Sequence, residues 1–354
     1  MKSVSNIRKK ATIYDIAKEA GTSAATVSRV LSECGYPVRH ELRQNVLNVA
    51  KKLNYKPNII GRMLKSSISR DIGVIIPTIS NPFYPQILLG IELEARHQGY
   101  NILLCNSLRD PVTERKYIET LCQKQVTGLI ISLADENYGF LKEVQEQGVS
   151  IVILDRDTAE QEYSRIGFDY VKGGMIGTEY LIGLGHSNIA FLASPLTKKS
   201  RTDTFEGFRL AHKKHDIGIR DENIIVSEKE EESGTGTYEF ENGKRLAERF
   251  IELDDRPSAI FAINDMTALG VMQRLLEKGI RVPEDVSVMG FDNIEISSMV
   301  NPPLTTVNQP SYETGNLACK ILIDKIKQRS SGNVSVMLEP ALVLRRSVSA
   351  LPEK

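Results

Sequence analysis

The chain has 354 residues, and its 45 basic and 45 acidic side chains give a formal net charge of zero. The four cysteines lie far apart and none has a CxxC or Cys/His spacing, which argues against a disulfide framework and a metal module. No stretch approaches the roughly 18 consecutive apolar residues that a membrane span needs, so the sequence predicts no membrane-spanning helix.

The charges are distributed unevenly between the start of the chain and the rest. Residues 1–70, the head, hold 14 Lys and Arg against 4 Asp and Glu, whereas residues 71–354, the body, hold 31 against 41. A basic head on an acidic body indicates a polyanionic partner for the head alone. A solvated basic tail is the alternative, but the apolar periodicity of the head favours a folded domain.

Residues 12–31 predict two short helices joined by a tight turn. Thr12 and Asp15 have the spacing of a capping box at a helix start. Gly21 then ends that helix, because glycine is unfavourable in a helix interior and accepts the left-handed turn conformation. Ser23 is a good N-cap for a second helix, whose apolar residues recur at helical spacing and can pack on the first.

The other face of the second helix carries small residues, Ala24, Ala25 and Ser28, with Arg29 beside them. A helix needs such a face to lie deep in a DNA major groove, where Arg29 could pair with guanine for roughly 1–3 kcal/mol of discrimination. Hydroxyl groups at the helix start, from Ser23 and Thr26, are suited to contact phosphates. An ordinary helical hairpin and a salt-bridged surface arginine are the alternatives, because this spacing is common.

A third helix is predicted over about residues 40–54, where apolar residues fall on one face. It begins after Arg39, which lacks the short polar side chain that favours a helix start. Three short helices make a domain of roughly 45 residues, which is marginal in size by itself.

Short apolar runs alternate with helical patterns through the body. This alternation predicts an α/β fold with parallel sheets and helices on both faces. Two of the predicted helices cover residues 136–147 and 204–214. Strands are predicted at residues 72–77, 101–105, 128–132, 150–154, 189–193, 224–226, 259–263, 286–290 and 304–307.

Five separated segments resemble the lactose/galactose repressor family of bacterial transcription factors. They are DIAKEAGTSAATVSRVL at 15–31, YKPNIIGRMLK at 55–65, IGVIIPTISNPFY at 72–84, RVPEDVSVMGFDN at 281–293 and PPLTTVNQP at 302–310. The resemblance implies a helix-turn-helix domain at 1–57, a hinge helix and linker at 58–70, and an effector-binding and dimerisation domain at 71–354. That last domain would have two doubly wound, periplasmic-binding-protein-like lobes joined by three crossovers, with lobe one at about 71–168 and 301–330 and lobe two at 169–300 and 331–347.

The resemblance also assigns the DNA-binding residues. Family members order the hinge as a helix only on operator DNA and insert a leucine into the minor groove, and Leu64 has that position here. Core packing is the alternative for Leu64, and Gly61 replaces the usual alanine, which should cost the hinge helix about 1 kcal/mol. The expected DNA-binding residues are Thr12, Ser23, Ala24, Ala25, Thr26, Ser28, Arg29, Tyr55, Asn58, Leu64 and Lys65.

The expected effector residues follow strands, because doubly wound lobes bind ligands beyond the carboxyl ends of their strands. Carboxylates and amides can bind paired hydroxyls, and an aromatic face can cover a sugar ring. Asp265, which also follows a predicted strand, is predicted to be an N-cap or turn former rather than a pocket residue. The family's ligand-binding arginine before Gly207 is missing, so Arg201 and Ser200 are the substitutes, and phosphorylated sugars or purines stay open as effectors. The expected effector residues are Phe83, Tyr84, Asp155, Ser200, Arg201, Asn264, Asp292 and Gln309.

The sequence therefore predicts a sequence-specific transcriptional regulator, a repressor of operator DNA, that responds to a sugar-like effector without cofactor or metal. We expect a homodimer, because the seven residues after Ser347 are too few for the leucine-heptad tail of tetrameric relatives, and a cytoplasmic, nucleoid-associated location. A protein corepressor stays an open alternative. The rival classes are a solute-binding protein, which would need an export signal, and a nucleotide-dependent enzyme, for which no P-loop or Gly-x-Gly-x-x-Gly follows a strand.

Overall fold

The computed structural model describes residues 11–31, 38–55, 69–133, 138–154, 162–229, 238–329 and 332–351. The chain divides into two compact units, Met1–Ser69 and Arg70–Lys354. Among the described residues, none of the helices combines the length and apolar character that a bilayer span requires.

In its described residues, the first unit contains three helices, α1 (Ile13–Glu19), α2 (Ala24–Leu31) and α3 (His40–Lys52). The predicted capping box is present at α1, since the Asp15 amide donates to Thr12 Oγ1 at 3.3 Å and the Thr12 amide donates to the Asp15 carboxylate at 2.8 Å. Gly21 has φ +64°, as the predicted turn requires. No side chain caps α3 at Arg39, which agrees with the weak helix start expected there.

The core of this unit is a small apolar cluster shared by the three helices. Ile16 of α1, Val27 and Val30 of α2, and Val46 of α3 are at most 2% exposed. The Asn45 side chain of α3 donates to the Ala20 carbonyl at 3.2 Å and so ties the end of α1 to α3. The helical spacing of the apolar residues therefore produces the three-helix packing that was predicted.

The second unit contains two six-stranded sheets, one in each lobe. The strands are β1 (Asp71–Ile76), β2 (Asn101–Asn106), β3 (Gly128–Ser132), β4 (Ser150–Leu154), β5 (Ser164–Phe168), β6 (Ile189–Ala193), β7 (Ile224–Val226), β8 (Ala259–Ala262), β9 (Ser287–Asp292), β10 (Thr305–Asn308), β11 (Ser335–Leu338) and β12 (Ala341–Val343). Lobe one has the order β11-β5-β4-β3-β1-β2, and lobe two has the order β12-β10-β9-β8-β6-β7. Among the described strands, all pairs are parallel except β10 with β12, so the doubly wound prediction holds apart from one antiparallel edge.

Helices connect the strands and cover the sheets. They are α4 (Phe83–His97), α5 (Pro111–Gln123), α6 (Leu141–Glu146), α7 (Tyr170–Gly183), α8 (Lys199–Lys214), α9 (Tyr238–Ile251), α10 (Asp265–Glu277) and α11 (Ser311–Ile326). Strands such as β3 and β6 are buried along their whole length because helices lie on both faces. The helix predicted at 136–147 begins only at Leu141, since residues 139–140 form a turn, and α8 begins five residues before the predicted Thr204.

The expected lobe boundaries need two corrections at the end of the chain. Residues 301–330 were expected in lobe one, but β10 pairs with β9 in lobe two, and only α11 packs on lobe one. Residues 331–347 were expected in lobe two, but β11 pairs with β5 in lobe one. Two residues, Glu339 and Pro340, separate β11 from β12, so one continuous segment supplies an edge strand to each sheet.

Three pairs of helices approach each other backbone to backbone. In the α7–α8 pair, a Cβ atom at Gly174 would lie 2.1 Å from the Thr204 carbonyl oxygen, and one at Gly207 would lie 2.0 Å from the Val171 carbonyl oxygen. The α4–α11 and α9–α10 pairs have the same reciprocal glycine contacts. This close approach fixes the position of α8, whose first turns lie at the site described next.

Candidate functional site

The predicted DNA-reading residues of the first unit lie on one face of α2. Ser23, Ala25 and Arg29 are not buried, while the opposite face of the helix is buried in the three-helix core. Ser23 Oγ accepts a hydrogen bond from the Thr26 amide at 3.1 Å, and the two hydroxyl oxygens are 2.9 Å apart. Ala24, Thr26 and Ser28 are half-exposed. This arrangement gives a smooth helix face with a cation near its end and hydroxyl groups at its start.

Three further residues of the first unit differ in their exposure and in their contacts. Thr12 is exposed, but its hydroxyl group takes part in the capping box and donates to the Asp15 carboxylate at 2.7 Å. Tyr55 is half-buried and packs against the three-helix core. Tyr14 was not predicted, yet 72% of it is exposed in the first turn of α1. Tyr14 is an aromatic residue outside the apolar face of its helix in a basic domain, and this was the signal that could have marked it as a candidate DNA contact.

Asn58, Leu64 and Lys65 of the linker and Asp155 after β4 lie outside the described residues. Their expected roles stay predictions.

The second unit has a cleft between its two lobes, whose empty space, counting the part open to solvent, is about 610 Å³. All seven of the described residues expected to bind the effector line it, although they come from separate segments of the chain. The lining residues are Asn81, Phe83, Tyr84, Arg109, Tyr170, Lys198, Ser200, Arg201, Thr204, Glu239, Ile263, Asn264, Phe291, Asp292 and Gln309. The five residues selected because they follow strands and the two selected as substitutes for the family's arginine therefore line one pocket.

Aromatic and amide groups of lobe one form one wall of the pocket. The Phe83 and Tyr84 rings meet edge to face, with centroids 5.3 Å apart and an interplanar angle of 79°. Asn81 is 5% exposed, and its side-chain oxygen accepts from the Phe83 amide at 3.0 Å, which fixes the start of α4. Asn81 was not predicted, although it lies within the segment at 72–84.

Amide and carboxylate groups of lobe two form the facing wall. The Asn264 side-chain oxygen caps α10 by accepting from the Thr267 amide at 2.8 Å, which leaves its NH₂ group to donate to a ligand. Gln309 is 4% exposed, and its NH₂ group donates to the Tyr170 hydroxyl at 2.9 Å. Asp292 is half-buried at the end of β9 with φ +117°, a rare backbone conformation for a residue with a side chain.

Cationic groups lie at the α8 side of the pocket. Arg201 is 7% exposed and donates from Nη1 to the Pro195 carbonyl at 3.0 Å, so the substitute arginine lines the pocket as expected. Lys198 and Thr204 line the same side and were not predicted. They lie within about one helix turn of the predicted Ser200 and Arg201, and this proximity along the chain is the signal that could have identified them as pocket residues.

An ion pair that no sequence pattern predicts joins the two lobes across the pocket. The guanidinium of Arg109, which follows β2 in lobe one, donates to the carboxylate of Glu239 in the first turn of α9 in lobe two. Only 17% and 6% of the two side chains are exposed. Arg109 has φ +62° and Leu108 before it has φ +52°, so a strained turn carries the arginine.

The prediction that Asp265 is an N-cap or turn former was wrong, because Asn264 caps α10 and Asp265 is the first residue of that helix. Asp265 does not line the pocket, as expected. Asp265 is fully buried and accepts from the Ile294 amide at 2.9 Å, from Ser297 Oγ at 2.6 Å and from Thr306 Oγ1 at 2.5 Å. Burial raises the pKa of this carboxyl group to about 6, although the hydrogen bonds and Arg345 oppose the rise. Among the described residues, no group of three or more His, Cys, Asp or Glu side chains could hold a metal ion.

Comparisons with known proteins agree on one family. Residues 12–58 match the family model for bacterial regulatory proteins of the lacI family, and residues 178–348 match that of a periplasmic binding protein-like domain. The chain is 35% identical to the HTH-type transcriptional repressor PurR of Vibrio atlanticus (strain LGP32) over 343 residues, which cover 96% of this chain and 99% of that protein.

Solved structures show the same architecture. The lac repressor dimer bound to operator and the anti-inducer ONPF has a TM-score of 0.81 and 27% identity, covering 97% of this chain and 100% of that one. The complex of the transcriptional regulator CelR with cellobiose has a TM-score of 0.67 and 26% identity, covering 95% of this chain and 99% of that one.

Proposed function

We propose that this chain, which belongs to the LacI family of bacterial regulatory proteins, represses transcription. The exposed face of α2 would lie in the major groove of operator DNA, and an effector in the interlobe pocket would set the operator affinity. The observation that carries this proposal is the convergence of seven predicted effector residues on one pocket, in a chain that also has a separate basic domain with an exposed helix face. Regulation rather than catalysis is then its whole activity.

A sugar-like ligand suits the chemistry of the pocket. The Asp292 carboxylate and the amides of Asn264 and Gln309 can bind adjacent hydroxyl groups, and the Tyr84 ring can lie against an apolar sugar face. The nearby Arg201 adds a cation that could accept an anionic substituent, so phosphorylated sugars belong among the ligands to test.

Two copies of the chain would present two α2 helices to the half-sites of a pseudo-palindromic operator. Closure of the lobes on the effector would change the geometry between the paired chains and so the order of the hinge. The helix-turn-helix domain would comprise residues 1–57 and the hinge helix and linker residues 58–70, in a protein that works on the nucleoid in the cytoplasm. A protein corepressor stays the alternative to a small molecule acting alone.

Two measurements test this function. Gel-shift assays with genomic fragments should show specific retention that random duplex of the same length cannot compete away. Thermal-shift screening of a panel of sugars, phosphosugars and nucleobases should reveal a ligand that raises the melting temperature by mass action and changes the gel shift. No preference for any fragment with every ligand tried would refute the proposal.

A further inference from the structure

Asp265 is a fully buried carboxylate that does not line the pocket, although its neighbour Asn264 does. Its two oxygens receive three hydrogen bonds from two other segments, one after β9 and one in β10. Buried carboxylates with several donors are costly to disrupt, because removing the acceptor leaves the donors unpaired in a region without water.

Each of the three segments that meet at Asp265 carries a pocket residue. Asn264 directly precedes Asp265, Asp292 lies two residues before the Ile294 amide that donates to it, and Gln309 lies three residues after the donor Thr306. One carboxylate therefore ties together the backbone that presents the three polar groups of the lobe-two wall.

The turn that carries Asp292 needs such support. Asp292 and Asn293 have φ of +117° and +59°, and residues with side chains hold such conformations only where the surroundings fix them. Asn293 is fixed from the other side, where Arg345 donates to its side-chain oxygen at 2.7 Å and its NH₂ group donates to Asn308 at 2.8 Å. Asp265 fixes the next residue, Ile294, through the backbone.

The strand that leads into this turn also makes room for the carboxylate. A Cβ atom at Gly290 of β9 would lie 2.2 Å from Asp265 Oδ1, so any larger residue there would displace the carboxylate. The side chain thus lies directly against the β9 backbone, two residues before Asp292.

We propose that Asp265 is a positioning residue of the effector pocket, which aligns Asn264, Asp292 and Gln309 without touching the ligand. The role toward a ligand rests on the proposed function, but the alignment itself is a property of the free protein. It can therefore be tested with no ligand present.

The experiment compares amide hydrogen exchange of the free, full-length protein and its variants, followed by mass spectrometry. Asp265→Asn removes the charge and one acceptor at nearly constant volume. A second variant, Ser297→Ala with Thr306→Val, keeps the carboxylate and removes two of its donors. The matched control is Asp255→Asn, which breaks the exposed ion pair with Arg220 in the same lobe.

We expect exchange in peptides covering residues 290–298 to quicken at least tenfold in both test variants, while the buried strands β6 and β8 and the control stay unchanged. Unchanged exchange at 290–298, or an equal increase throughout lobe two, would overturn the positioning role. If Asp265→Asn fails to fold, the double variant alone decides.

A second experiment measures binding of a compound that raises the melting temperature in the thermal-shift screen, and it measures the gel-shift retention of operator DNA with the same protein samples. Both test variants should bind that compound at least tenfold more weakly and still retain operator DNA. Normal affinity would overturn the proposal, whereas the absence of any ligand for the unmodified protein would refute only the proposed function and leave the exchange result standing.

Discussion

Arg29 is a cation on the accessible face of α2 whose neighbours, Ala25 and Ser28, are too small to block approach to a groove. Arg29→Ala should weaken operator binding by roughly 1–3 kcal/mol, or about 5–150-fold, because a bidentate contact to guanine is lost. Binding titrations on operators altered one base pair at a time should show that the variant discriminates less between base pairs at a single position in each half-site. An equal loss on every sequence would mean that Arg29 contacts only phosphate.

Asp265 makes the stability of the protein depend on pH in a predictable direction. The difference between a pKa of 3.8 in the unfolded chain and about 6 in the folded one corresponds to about 3 kcal/mol in favour of the protonated group. The contribution of the Asp265 carboxyl group to the free energy of unfolding is therefore greatest below pH 3.8 and is lost as pH rises through 6. Arg345 is the charged group that counteracts the rise.

Urea unfolding at a series of pH values should show this dependence as a difference between the unmodified protein and Asp265→Asn. We expect the unmodified protein to gain stability relative to the variant as pH falls from about 7 to about 4, the range that brackets the raised pKa. Asp255→Asn, at an exposed carboxylate, should show no comparable trend. A difference that does not vary with pH would contradict the raised pKa.

At the scale of single residues, the sequence predicts pocket-lining residues well where a residue follows a strand and the family resemblance marks its position. Asn264, Asp292 and Gln309 all follow strands, and the last two lie within motifs. Arg109 also follows a strand, but no motif marks it, and Glu239 lies at the start of a helix. Their pairing depends on how the two lobes approach each other, which no local pattern contains.

At the scale of helices, the reciprocal glycine contacts between α7 and α8 leave no space for a side chain. Gly207→Ala should lower the free energy of unfolding by about 1–3 kcal/mol through overpacking, and it should also weaken effector binding because α8 carries Arg201. Urea unfolding measures the first effect. Gly183→Ala, also in α7, is the control and should be neutral or slightly stabilising, because an added Cβ atom there would meet nothing within 4 Å.

The regular elements differ in how far the sequence defines them. Strands β3, β4, β6 and β7 have the predicted bounds, because a short apolar run between turns has one interpretation in an alternating fold. The glycine-rich α7 and the half-exposed β11 were not predicted. Glycines lower helix propensity although here they allow close packing, and β11 has no continuous apolar run.

At the scale of the whole molecule, the Arg109–Glu239 ion pair links the lobes independently of any ligand. Removing one partner of a buried pair costs about 3–5 kcal/mol, because the other charge is left without compensation. We therefore expect Arg109→Glu and Glu239→Arg each to destabilise the protein, and the double swap to recover most of the loss in urea unfolding. Additive losses in the double variant would show that the pair does not couple the lobes.

The two-lobed architecture itself was predictable from motif order, but the division of the last residues between the lobes was not. The strands β10, β11 and β12 have only three or four residues each, and their sheet is chosen by long-range pairing. Sequence patterns report whether a segment is a strand, whereas the partner strand is set by the path of the whole chain.

The segment that supplies both β11 and β12 has a genetic consequence. A nonsense or frameshift mutation just before Ser335 would remove the border strand of both sheets together and expose β5 and β10 as new edges. Exposed edges of this kind invite aggregation, so such an allele should behave as a full deletion although it still encodes both domains up to residue 334. For the same reason neither lobe is a module that recombination could transfer to another gene by itself.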